Sequence, residues 1–549
     1  MLALGSPCAL LLAWTCHDWF EQCVLRASSG PGGADAHGAS GSSALSADGR
    51  VVAFVSAADS LVPGDTNGRR DVFVFDRVTE QIERVSVGDS GQEADGDSSR
   101  PVISADGRHV AFESSATNLV QNDGNGRTDV FVRDLLLKTT VRVSVGSAGV
   151  EGDGDSRFPR LSSNGRFVLF QSHATNLVPG GTDGNGDAFV ADLSSGAIEL
   201  VSLDEGGTEA SGPALPIDVS DDGVLVVFAT ADVLVAGDVN GADDLYARDR
   251  AAGTTVLLSV GDRGQAGDGP SSDGDLTPDG TLVAFSSLAT NLLTGDSDGA
   301  GHVYVRDLVS GALTRASVDS AGSAGDDRSA APSISDDGSR VAFLTLASNF
   351  DPWDSAGTWD VFVHDFDSDA TSLVTRAHDG EVSAGPATAV AISGDGGWIA
   401  FASDADDLIK DDANGLGDVF VHGHVARWWL YGSGHAGTLG IPAILALGEP
   451  RIGEPFSVQI GNSLGVSTFG ILLAGVLPTD VPVMDGRILV IPWIVIPLPF
   501  PDGDVTLTET LPDDEVLCGL YGFLQAIELD GGASKGLSFT EGLVFQFGH

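Results

Sequence analysis

Pro101-Val-Ile-Ser, Ala105-Asp-Gly-Arg, His109-Val-Ala-Phe-Glu-Ser114, a loop, Asp129-Val-Phe-Val-Arg-Asp134 and Thr140-Val-Arg-Val-Ser-Val145 make one unit of a 549-residue chain. The runs are rich in Val, Phe and Thr, alternate with period two, and are punctuated by Gly, Asp, Asn and Ser, which predicts four short strands joined by turns. Asp106-Gly107 reads as a two-residue hairpin turn, because that pair tolerates positive φ. Nothing in the unit has helical spacing.

Gly107 has counterparts at Gly49, Gly165, Gly223, Gly280, Gly338 and Gly396, at steps of 57 or 58 residues. Five residues after each comes a Phe: Phe54, Phe112, Phe170, Phe228, Phe285, Phe343 and Phe401. A second aromatic follows at Phe73, Phe131, Phe189, Tyr246, Tyr304, Phe362 and Phe420. Seven four-stranded units in tandem predict a seven-bladed β-propeller; the rival, a parallel β-helix, usually repeats over fewer residues. Leu25-Arg-Ala-Ser-Ser-Gly30 aligns without gaps on Val141-Arg-Val-Ser-Val-Gly146. The chain therefore begins on a stray fourth strand that would complete the last blade and close the ring.

Ser46-Ala-Asp-Gly-Arg-Val-Val-Ala-Phe54 and Asp71-Val-Phe-Val-Phe-Asp76 resemble the WD40-like repeat of TolB-type propellers, over roughly residues 24 to 425. The resemblance implies an exported bacterial scaffold that binds proteins or glycans. The Pro that this family places before Asp-Gly occurs only at Pro278, and TolB's separate amino-terminal domain is missing. A prolyl-oligopeptidase-like hydrolase domain would not fit in the residues that follow 432, given ordinary domain sizes.

With 78 acidic and 28 basic residues the net charge is -50, a field that repels nucleic acid and anionic lipid and attracts cations. Cys8, Cys16, Cys23 and Cys518 are too few for a disulfide scaffold; a Cys16–Cys23 bridge and free thiols both remain open. Residues 1–23 read as an N-terminal segment, a leader remnant without the positive region that a secretory signal carries. No uninterrupted apolar run reaches the ~18 residues of a membrane span.

The most chemical motif is the loop between the second and third strands. Asp65, Asn67 and Asp71 stand at offsets of zero, two and six around a Gly, and the pattern repeats as Asp123, Asn125, Asp129, as Asp238, Asn240, Asp244, and as Asp412, Asn414, Asp418. Ca²⁺ takes six to eight oxygens, and such loops supply side-chain and backbone oxygens close together. The competing reading is a turn held by Asp and Asn bonding their own backbone. Unit three closes up to Asp183-Gly-Asn185-Gly-Asp187, unit five ends in His302 and unit six has Ala356 in the middle, so Ca²⁺ is expected in units one, two, four and seven.

Acidic crossings such as Glu151-Gly-Asp153-Gly-Asp155 and Gln92-Glu-Ala-Asp95-Gly-Asp97 read as solvated rim loops. Ser56, Ser114, Ser172, Thr230, Ser287, Thr345 and Ser403 read as a blade-to-blade hydrogen-bond row. Gly88-Asp-Ser90-Gly91 mimics a protease nucleophile segment, but its counterparts Gly146-Ser-Ala-Gly149 and Gly261-Asp-Arg-Gly264 make it a repeat loop. His422 and His424 lack the third ligand that a zinc site needs.

The repeat stops after Trp428-Trp429-Leu-Tyr431, and apolar runs separated by Gly, Pro and Asp predict a β-sandwich over 433–549. Tyr431-Gly-Ser-Gly-His-Ala-Gly-Thr-Leu-Gly440 and Gly531-Gly-Ala-Ser-Lys-Gly-Leu-Ser-Phe539 resemble a carboxy-terminal module of secreted bacterial repeat proteins. The expected protein is thus all-β, a propeller over 24–432 and a sandwich after it. It would act outside the cytoplasm as a non-catalytic scaffold for a protein or glycan, with Ca²⁺ as the expected stabiliser; the alternatives are a propeller-based carbohydrate-active enzyme and a structural cell-surface component. An acidic residue breaking the repeat near the axis would favour catalysis.

Overall fold

The computed structural model describes residues 24–546 apart from 147–148, 295, 297–298, 352–353, 355–356, 379–381, 411, 424–426, 432–434, 437, 440, 448–454, 476, 484–485, 492–493, 501–504, 511–520, 531, 534–536 and 541. Residues 1–23, with Cys8, Cys16 and Cys23, and also Cys518, Ala356 and His424 lie outside the described residues. The chain divides into two units, Val24–His422 and a second containing Gly423–His549.

The first unit is seven four-stranded antiparallel sheets. Blade two shows the pattern: Ser98–Ile103, His109–Ser114, Asp129–Asp134 and Thr139–Arg142, paired in chain order. The inner strands Ser40–Leu45, Ser98–Ile103, Ser156–Leu161, Leu215–Val219, Ser271–Leu276, Ser329–Ile334 and Ala387–Ile392 each lie beside the next, and the last lies beside the first. The ring is closed as the opening residues predict: Val24–Arg26 pairs with Asp418–Gly423 as the fourth strand of blade seven. That pairing covers an edge that would otherwise stay open.

Hydrophobic layers sit between neighbouring blades. Val72 and Val74 of blade one, for example, pack with Phe112, Leu119 and Phe131 of blade two. The repeated aromatics stack within each blade, as in Phe112 with Phe131 at 5.9 Å and Phe170 with Phe189 at 6.0 Å between ring centroids. Such pairs add about 0.5–1.5 kcal/mol beyond their buried area. Blade six differs, because Phe350 stands edge-on to both Phe343 and Phe362.

Two local expectations change. The Asp-Gly turn is longer than two residues: Ser104 N–H donates to His109 O, Gly107 N–H donates to Ser104 O, and Gly107 alone takes positive φ, 69°. Asp106 keeps a right-handed backbone because its carboxylate accepts from the Ser104 hydroxyl and the Arg108 amide, so only the closing Gly is left-handed. The Ser/Thr row bonds within blades, not between them: Ser98 donates to Ser114 and Ser40 to Ser56, each at 2.9 Å. Position seven after the Gly faces its own inner strand, which explains the difference.

In the second unit a six-stranded sheet includes Thr468–Gly475, Ile494–Phe500, Tyr521–Leu529 and Gly542–Gln546; a three-stranded sheet holds Ile444–Leu447, Pro455–Ile460 and Val505–Thr510. They share a core of Ile444, Phe456, Val458 and Ile460 against Leu472, Phe500, Ala526 and Leu543. The run 488–496, expected as one strand, is two, Gly486–Ile491 and Ile494–Phe500 in different sheets. Pro492 falls between them in sequence and lacks the N–H that a ladder needs.

Candidate binding channel and rim loops

The inner strands enclose a cavity of about 470 Å³ along the propeller axis. Each carries a β-bulge, as where the pairing shifts between Arg157 and Arg160 or between Ser272 and Gly274. Ser42, Arg100, Phe158, Asp273 and Ala331 sit at the bulges with φ between 44° and 54°. A bulge re-aims the side chains that follow it. One end is tied by turn-to-turn bonds, Ala47 N–H to Ala105 O, Ala105 N–H to Ser163 O, Asp221 N–H to Pro278 O, Asp336 N–H to Gly394 O and Asp395 N–H to Ala47 O.

Five residues before each signature Gly, the seven strands place Ala44, Val102, Arg160, Asp218, Asp275, Ser333 and Ala391 on the cavity wall. Ala44, Val102 and Ala391 make an apolar side; Arg160, Asp218, Asp275 and Ser333, from four consecutive blades, make a polar arc. The arc is bonded throughout. Arg160 Nε donates to Ile217 O at 2.8 Å, Asp218 accepts the Val219 and Leu276 amides at 2.8 and 3.1 Å, and Asp275 accepts the Ser333 hydroxyl and the Ile334 amide, both at 2.9 Å. The Asp218 and Asp275 carboxyls lie close enough for each to act on the other's titration. Enclosure by the ring pushes both up, Asp218 well above the carboxylate range with Asp275's charge beside it, and Arg160 acts in the other direction. Burial and mutual repulsion thus favour protonation of the pair as a unit.

The loops at 65–71, 123–129 and 412–418 do bring their carboxylates together, and each faces an arginine of the outermost strand. Arg84 lies 3.0 Å from Asp65, 3.6 Å from Asp71 and 2.7 Å from Glu93. Arg142 lies 3.1, 3.4 and 2.9 Å from Asp123, Asp129 and Glu151. Arg26, from the closing strand, lies 3.2 Å from Asp412 and 3.7 Å from Asp418. Asn67, Asn125 and Asn414 donate to Asp71, Asp129 and Asp418, and Ser86, Ser144 and Ser28 donate to the other carboxylate oxygen. One guanidinium does not offset three acids: burial pushes Asp123 up to about 6 despite Arg142. In blade four, Leu257 takes the arginine's register and neutral groups serve instead, the Tyr246 hydroxyl on Asp238 and the Asn240 amide and Ser259 hydroxyl on Asp244.

Blade three keeps the acids and loses the arginine. Leu200 pairs with Phe189, the register of Arg84 and Arg142, while Asp183, Asp187 and Glu209 each place a carboxylate oxygen within 4.8 Å of the others. Burial, then the charge of Glu209, pushes Asp187 up to about 7. The acidic crossings are not free loops either: Asp95 accepts from the Thr117 amide and hydroxyl and Asp153 does the same with Thr175, clamping one blade to the next.

Reading each unit as a copy of the others missed the channel arc and Glu209. Aligning the units on Gly and listing where they differ would have found both.

No family model matches the chain, and no curated protein matches it. Among solved structures it is similar to one described as TolB from Agrobacterium tumefaciens (15% identity, 50% of this chain and 79% of that one, TM-score 0.33). It is also similar to RRP9 WD40 repeats (11%, 73% and 98%, 0.40) and to a GH74 enzyme of Niastella koreensis (11%, 80% and 59%, 0.40). The propeller assignment rests on the seven sheets and their closed order. Among the described residues no helix is long and apolar enough to cross a membrane.

Proposed function

We propose that the chain is an extracytoplasmic, non-catalytic binding scaffold whose channel takes up a segment of glycan. The observation that carries this reading is the asymmetry of the channel wall. Three positions are small and apolar, and the four beside them form a continuous row of donors and acceptors. A sugar ring has the same division, C–H groups on its faces and hydroxyls on its edge, whereas a repeat kept only for packing has no reason to concentrate its differences on one arc. A protein ligand remains the second reading, since propellers also bind proteins.

Two axial acids that break the repeat invite the enzyme reading. Glycosidases hold their two carboxyls about 5–5.5 Å apart when retaining and about 6.5–9.5 Å when inverting, leaving room for the anomeric carbon or a water. Asp218 accepts two backbone amides and Asp275 accepts a backbone amide and the Ser333 hydroxyl, which ties both carboxyls to the wall and suits recognition better than acid–base turnover. Binding to an array of polysaccharides, with Arg160→Met and Asp275→Asn beside the parent, tests the proposal. Selective retention that weakens tenfold or more in both variants supports it. Equal retention by the variants moves the site elsewhere, and release of reducing ends overturns the non-catalytic part.

A further inference from the structure

We propose that blade three holds one Ca²⁺ on Asp183, Asp187 and Glu209, in the place that Arg84 and Arg142 fill in blades one and two.

The chain supplies its own comparison. Asp187 and Glu209 occupy the repeat positions of Asp71 and Glu93 in blade one and of Asp129 and Glu151 in blade two. In those blades a guanidinium reaches all of the acids present, at 2.7–3.6 Å. In blade three the same register is Leu200, which carries no charge. Asp183 stands where Asn67 and Asn125 stand, so a neutral donor has become a third carboxylate. Three acids converge and the cation that elsewhere answers them has been removed.

A second observation concerns Asp187 alone. Its equivalents receive an amide N–H from the loop asparagine, Asn67 to Asp71 at 2.7 Å and Asn125 to Asp129 at 3.0 Å. In blade three the asparagine has moved to Asn185 and donates to Asp183 and to Ser211 O instead. Asp187 is 0% exposed, and no N–H or hydroxyl donor reaches its Oδ2, against which only the Glu209 carboxyl lies. A buried carboxylate oxygen without a donor is costly, and a bound cation removes that cost.

The donors are all oxygen, which selects a hard cation over Zn²⁺. Asp183 is exposed and Glu209 half-buried, so an ion can enter and complete its shell with water. Gly184 and Gly186, at φ of 75° and 98°, give the loop a path that side-chain-bearing residues rarely follow. An irregular shell of this kind suits Ca²⁺ better than Mg²⁺, which demands a near-ideal octahedron.

The test uses the full chain, stripped with chelator and titrated calorimetrically with CaCl₂ and separately with MgCl₂, with melting of the propeller followed in parallel. The expected result is one Ca²⁺ per chain, and at hundredfold excess over Kd a rise of about 3 °C or more in the melting midpoint. Leu200→Arg should supply the missing guanidinium, raise the metal-free midpoint and abolish the Ca²⁺ response. Glu209→Gln should weaken Ca²⁺ binding tenfold or more and decides the matter if the arginine variant does not fold. No heat and no midpoint change in the parent overturns the proposal, as does Ca²⁺ binding that survives both substitutions or an equal response to MgCl₂.

Discussion

Blades two and three are neighbours built on the same plan, and at the rim they part where charge must be balanced. Both bury a stacked aromatic pair with each ring 0% exposed, Phe112 with Phe131 and Phe170 with Phe189. Both carry the surface ion pair between second and third strands, Arg108 with Asp134 and Arg166 with Asp192. At the rim, blade two answers three acids with Arg142, and blade three answers them with Leu200. Positions that every blade shares thus report on packing, and positions where one blade departs are where a ligand should be sought. The channel arc teaches the same lesson at the axis.

The largest effect should be the one that does not distinguish the blades. Phe112→Ala and Phe170→Ala should each cost the propeller about 3–5 kcal/mol, measured as the shift of its unfolding transition in urea. Costs that differ by more than about 1 kcal/mol would mean that the two cores are not equivalent, and the rims could no longer be compared against a common core. Next comes the step that turns blade two into blade three. Arg142→Leu strands Asp123, Asp129 and Glu151 without their cation, and leaving a buried charge unpaired costs about 3 kcal/mol or more. If that variant is as stable as the parent, the guanidinium is not what balances the rim.

The fold was largely legible because it follows from what all units share. The Gly spacing, the Phe five residues on and the stray opening strand each state a geometric requirement that any copy must meet. The site was less legible because it follows from departures. Asp218 and Asp275 are unremarkable among 78 acids until the repeat is stacked and they fall beside each other, with Arg160 and Ser333, at a repeat position that the other three blades fill with Ala or Val. The acidic loops show the opposite case. Asp65-Thr-Asn-Gly suggests a cation by itself, but the cation that faces it is encoded nineteen residues later, at Arg84, on a strand whose register only the folded sheet reveals.

A smaller effect lies in pH. Asp123 in blade two is raised to about 6 and Asp187 in blade three to about 7, against about 3.9 in an unfolded chain. A group that keeps its proton longer when folded adds stability below the unfolded value, and that stability is lost as pH rises through the folded value. The propeller should therefore lose stability between pH 4 and 7, with blade two's share gone by about pH 6 and blade three's by about pH 7. Each share should be about 1–2 kcal/mol after allowing for the water that reaches Asp123 and the neighbours of Asp187. Asp187→Asn should flatten the decline between pH 6 and 7 and leave the earlier part intact. A decline that keeps its full slope in that variant would mean that the two rims titrate together.

The smallest effect should again treat the blades alike, and for a different reason from the core. Arg108 meets Asp134 at 2.6 Å and Arg166 meets Asp192 at 2.8 Å, but water reaches both arginines, Arg108 half-buried and Arg166 exposed, and an ion pair there gains little. Arg108→Met and Arg166→Met should each move the melting midpoint by no more than about 1–2 °C, and 1 M salt should erase the difference from the parent. The sign in acid is opposite to that of the rim acids. The guanidiniums hold Asp134 and Asp192 below the usual carboxylate range, so their contribution is present above about pH 4 and is lost as pH falls through the lowered values. A loss in one blade that is several times that in the other, or one that persists in high salt, would show that these pairs also anchor the turn that follows the third strand, where Asp134 accepts the Leu136 and Leu137 amides. The contrast between the blades would then extend from the rim loops to the opposite end of the sheet.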